Sequence, residues 1–130
     1  MPDRNSRGRV HQARLAFGLW SVIIVAATVP WTSFVGHTHW QKVQWIPFVT
    51  PPVKMLDILG NVLLYLPFGY GFVRAFPPRI SPLRAAALAG TLSFAVEWSQ
   101  LYSHSRFPSV QDVLCDVLGA WLGASWATRE

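Results

Sequence analysis

Between Leu15 and Val35 the chain runs for 21 residues, LAFGLWSVIIVAATVPWTSFV, without a charged side chain. An α-helix needs about 20 apolar residues to cross the hydrocarbon of a bilayer, and this run has no polar face to offer water. Three further runs follow. MLDILGNVLLYLPFGYGFVRAF spans Met55 to Phe76, the third covers about residues 83–102, and the fourth about 110–127. Together they predict an all-α, integral membrane four-helix bundle. Charged residues make up only 13% of the chain, against about 25% in soluble domains. A chain of 130 residues supports one domain. Residues 1–14 are therefore read as a basic cytoplasmic segment and 15–127 as a single transmembrane domain.

Pro67 interrupts the second run, and a kink is expected there because proline lacks an N–H and clashes with the preceding turn. A cleaved leader would end after Ala27, but the apolar run continues through Trp31, Phe34 and Val35, which favours a retained helix. Orientation follows from the basic residues, which stay on the cytoplasmic side. With the N-terminus inside, Arg4, Arg7, Arg9, Arg14, Arg74, Arg79, Arg84 and Arg129 are cytoplasmic, and only Lys42, Lys54 and Arg106 are external. Both termini are thus expected in the cytoplasm, with the chain in the cell membrane. Trp31, Trp40, Trp45 and Trp98 then fall near the outer interface. The basic residues cluster at the ends of apolar runs, so the net charge of +5 reads as topology signal and headgroup contact. A nucleic-acid partner is excluded, because no basic stripe interleaves with polar residues. Cys115 is the single cysteine and reads as a packed thiol.

Six residues are acidic; Asp3 and Glu130 are terminal. The other four, Asp57, Glu97, Asp112 and Asp116, fall at a shared depth in the outer half of the bilayer when about 1.5 Å of rise is counted per residue. Helical spacing groups each with polar or small neighbours: Asp57 with Asn61; Ser93, Glu97, Gln100 and His104 on the third helix; Ser109, Asp112, Asp116, Gly119 and Gly123 on the fourth. An Asp at the centre of a membrane helix costs on the order of 2.5 to 3.5 kcal/mol, whereas an interhelical hydrogen bond returns about 0.6 kcal/mol. Four acids are poor packing glue, so they mark a candidate site.

Glu97, Asp112 and Asp116 are the candidate proton-handling (catalytic) residues, and Asp57, Asn61, Gln100, His104 and Arg106 the candidate binding residues. Arg106 is one countercharge for four carboxylates, so the cluster is expected to share a proton near neutral pH. That suits a general acid–base pair or a cation site. His37 and His39 form an H-x-H pair without a third ligand nearby in sequence, so they read as an interfacial loop and no metal is assigned. No phosphate-cradling glycine loop, G-x-S-x-G or zinc signature occurs, and no cofactor is assigned. Tyr65 reads as bundle packing.

The motifs IPF at 46–48, DILGNVLLYLPFG at 57–69, and E-x-x-Q…R…D-x-x-x-D-x-x-G-x-x-x-G from Glu97 to Gly123 resemble the VanZ-like membrane proteins. The resemblance implies a small multi-helix bacterial membrane protein with a cell-envelope role, since the founding member is associated with teicoplanin resistance. One departure is Asp116, where the family usually carries Asn. It makes the pocket more acidic, or stays protonated and imitates the amide as a donor.

The expected function is a polar, acidic cleft near the outer face that binds or acts on an envelope lipid or glycan. The alternatives are a proton- or cation-coupled carrier and a non-catalytic interaction subunit. Partners are the bilayer and, because four short helices make a small carrier, a second copy of the chain in a homo-oligomer.

Overall fold

The computed structural model describes residues 4–49, 55–77 and 80–130. These residues form four α-helices and no strand: α1, Arg4–Thr28; α2, Met55–Ala75; α3, Pro82–Gln100; and α4, Val110–Ala127. One 3₁₀ turn, Trp40–Lys42, lies in the α1–α2 connection. Asp3, Lys54 and Arg79, used above for charge and orientation, lie outside the described residues.

The first helix departs from the expected 15–35. It begins at Arg4, so most of the basic segment is helical, and it stops at Thr28, two residues before Pro30. Proline cannot donate to the helix ladder, and it drives the residue before it out of the helical region. Trp31, Phe34 and Val35 continue as irregular chain. Pro67 does not break α2, which runs through it to Ala75.

Small residues hold α2 and α4 close together. A Cβ on Gly69 would sit 1.9 Å from the Ala120 carbonyl oxygen, one on Gly119 2.3 Å from that of Val62, and one on Gly123 1.9 Å from that of Leu66. This is small-residue packing at backbone contact. Helix α3 turns one face inward, carrying Ala85, Ala86, Ala89, Ser93, Val96, Glu97 and Gln100. Ile24, Tyr65, Phe68, Ala89 and Ala120 form the core, with one or more residues from each helix.

Helix α1 joins α2 through aromatic contacts and two hydrogen bonds. The Phe17 ring lies 5.0 Å from that of Phe68 and 5.5 Å from that of Phe72. Arg14 Nε donates to Ala75 O at 3.0 Å, supplying a partner and a positive charge at the carbonyl end of α2. Trp20 Nε1 donates to Leu64 O at 2.8 Å. Trp20→Phe keeps a ring but removes the interhelical bond to that carbonyl. The expected loss is about 1–2 kcal/mol, measured as a lower thermal midpoint in detergent.

Asn5–Thr28 and Met55–Ala75 are long and apolar enough to cross a membrane, and only 6% and 17% of their apolar windows are buried within the protein. The core helix of a soluble protein would be mostly covered. Of the four expected spans, α1 and α2 are therefore candidate membrane spans on length and composition, while α3 and α4, with their acids, fall short of that measure among the described residues.

Candidate functional site

The acids gather where α3 ends, α4 begins and α2 starts. Ser93 and Asp116 face each other across α3 and α4, and Ser93 Oγ donates to Asp116 Oδ2 at 2.6 Å. Buried Tyr65 of α2 borders this pair, beside Ser93. Asp116 is 5% exposed, and its second oxygen, Oδ1, is buried without a hydrogen-bond partner. Buried polar atoms are nearly always paired, so this one marks an incomplete arrangement.

Glu97 holds the start of α4. Its Oε2 accepts the backbone N–H of Ser109, the N-cap residue, at 2.7 Å. A carboxylate at a helix N-terminus meets unpaired N–H groups and the positive end of the helix dipole. One turn into α4 from Ser109, half-buried Asp112 lies beside Asp57 and Asn61 of α2. Exposure falls from Asp57 at the rim, through Asp112, to Glu97 and Asp116 inside. The acids expected to share a site are thus graded from an exposed rim residue to buried ones.

Three expected site residues stand apart from this group. Arg106 is exposed and makes no ion pair among the described residues; it acts on Glu97 only as a through-space charge. Gln100 turns to α1, and its Nε2 donates to Thr28 O at 3.1 Å. His104 lies past the end of α3, off the Ser93–Glu97–Gln100 stripe, and packs its ring 4.4 Å from His39 and 5.4 Å from His37. Tyr65, read as packing, is 1% exposed and belongs to the core, with Ser93 beside it. Gln111 was missed: its Oε1 accepts the Phe48 N–H at 2.9 Å, supporting a residue held at φ 62°.

The opposite end differs in chemistry. A cavity of about 1120 Å³ opens between α1 and α2, lined among others by Arg9, Phe17, Trp20, Tyr70 and Arg74, and none of the acids of the site borders it. Nearby, Arg74 pairs with Glu130 at 2.5 Å, and the Tyr70 hydroxyl donates to the same carboxylate at 2.8 Å. The Tyr70 hydrogen bond, then the Arg74 guanidinium, hold the Glu130 carboxyl below its ordinary value.

The VanZ/LLP1 family model matches residues 14–128, a stretch that takes in α2, α3 and α4 whole and most of α1. No curated protein and no solved structure matches the chain. With its motifs, its four helices and a match over nearly its whole length, the chain belongs to the VanZ/LLP1 family.

Proposed function

We propose that this is a multi-pass membrane protein whose acid cluster, near the outer face, binds or acts on a polar group of the cell envelope, such as a lipid-linked or glycan headgroup. Large apolar side chains are exposed on all four helices, including Leu19, Leu63, Leu83, Phe94, Leu118 and Trp121. That distribution favours lipid around the whole bundle, with α3 and α4 crossing it while their acids turn inward. At the acid end Trp40 stacks on Trp45 with centroids 6.4 Å apart and meets Trp98 edge-on at 5.7 Å. Such aromatic clusters suit a headgroup interface. Arg9, Arg14, Arg74 and Arg129 belong to the other end, which the charge rule places in the cytoplasm.

This orientation predicts labelling. In intact cells, Ser105→Cys in the exposed α3–α4 turn should react with a membrane-impermeant maleimide. Gly8→Cys in α1 should react only after permeabilisation. The reverse pattern contradicts the orientation, and the buried native Cys115 supplies little background.

The unpartnered Oδ1 of Asp116 is the single observation that carries the binding reading. A ligand hydroxyl or amine supplies the missing donor, and the sugar hydroxyls of an envelope glycan have that chemistry. Asp57 and Asn61 meet the ligand at the rim, and Glu97 with Asp112 handle protons. Glu97→Gln and Asp112→Asn test this in a host lacking its own family member, scored by teicoplanin susceptibility and by abundance in the membrane fraction. Both variants should lose the phenotype at unchanged abundance. Wild-type behaviour of both would remove the acids from the function.

A further inference from the structure

His37, His39 and His104 meet although they come from two separate connections. Their ligand nitrogens all lie within 4.8 Å of one another. His37 and His39 belong to the α1–α2 connection and His104 to the α3–α4 turn. The backbone sets the meeting: His39 N donates to Leu101 O at 2.9 Å, and Val35 N to Tyr102 O at 2.8 Å. Two such bonds fix the register of one loop against the other. The H-x-H pair thereby gains the third imidazole that its own neighbourhood lacks.

We propose that these three histidines form a binding site for a divalent transition metal of the Zn²⁺ type, with its fourth position open. Imidazole nitrogen suits Zn²⁺, Cu²⁺ and Ni²⁺, whereas Mg²⁺ and Ca²⁺ take oxygen ligands. Three histidines with an open position form a recognised zinc arrangement. The tautomer of the buried member is already set. His39 Nδ1 lies 3.1 Å from Leu101 O; a carbonyl only accepts, so Nδ1 carries the proton and Nε2 keeps a free lone pair. A carbonyl holding the non-ligating nitrogen is the usual outer support of a metal-bound histidine.

Zn–N bonds of about 2.0–2.1 Å place tetrahedral ligand nitrogens about 3.3 Å apart. The cluster must therefore tighten by about an ångström or more. His37 and His104 are exposed and have room to rotate, while buried His39 stays as the anchor. A metal takes neutral imidazole. Lys42 opposes a bound cation by charge, but its ammonium is engaged with the backbone oxygen of His104. Metal binding here ties two loops and does not use the carboxylates, so it stands or falls apart from the envelope reading.

The test is calorimetric titration of Zn²⁺ into the full chain in detergent, purified through a tag without histidine, with Mg²⁺ as the control. The expected result is one Zn²⁺ equivalent and a thermal midpoint raised by Zn²⁺ alone, since a ligand that binds only the folded state stabilises it. His37→Ala and His104→Ala change exposed rings and should fold. Each is expected to weaken binding at least about tenfold and to abolish the thermal shift. No bound equivalent, or equal binding by either variant, would overturn the three-histidine site.

Discussion

Gly123→Leu is expected to leave little folded protein. The new Cβ would lie 1.9 Å from Leu66 O, 2.9 Å from its carbonyl carbon and 3.0 Å from Tyr70 N. All three are backbone atoms of α2, so no side chain can rotate away. The helices must separate, which also withdraws Gly119 from Val62 and Ala120 from Gly69. Overpacking a tight core costs about 1–3 kcal/mol even where side chains can adjust. Here the cost should exceed about 3 kcal/mol, a large part of typical domain stability. The measurement is the monodisperse fraction and thermal midpoint after detergent extraction. Gly60→Ala is the control: nothing lies within 4 Å of its Cβ, and alanine improves helix propensity by about 0.5–1 kcal/mol.

Glu97→Ala and Glu97→Gln should part company. Alanine removes the acceptor of the Ser109 N–H at the start of α4. A buried donor left unpaired costs about 1–3 kcal/mol. The alanine variant should therefore lose both stability and function. Glutamine retains an oxygen for Ser109 and gives up only the titratable proton. Its midpoint should stay within about 1 kcal/mol of wild type, while a general acid–base role of the ordinary size predicts a loss of about 10²–10⁴ in rate. Wild-type function in the glutamine variant would assign Glu97 to helix capping alone.

The four helices were legible because each apolar run is bounded by turn residues or charge. The limits of α1 were not. Hydropathy continues past Pro30 although the helix cannot, and arginines with exposed side chains sit comfortably in a helix that hydropathy discounts. Spacing grouped Ser93 with Glu97 on α3 and Asp112 with Asp116 on α4, since positions four apart share a helix face. The same rule misplaced His104, four residues after Gln100. The helix ends at Gln100, and the following turn swings His104 towards the α1–α2 connection. Its meeting with His37 and His39 depends on loop pairing between Val35 and Tyr102 and between His39 and Leu101, which no local pattern encodes. Arg106 was read as the one countercharge for four carboxylates, yet Glu97 pairs with a backbone N–H and feels Arg106 only through space.

The most direct measurement is an experimental density map of the protein in a nanodisc of bacterial envelope lipids. The polar tip of a lipid or glycan is expected within hydrogen-bond distance of Asp116 Oδ1 or the Asp112 carboxylate, with the acids of α2, α3 and α4 still grouped below the tryptophan layer. Carboxylates splayed towards the acyl chains, with no polar group beside any of them, would contradict the account.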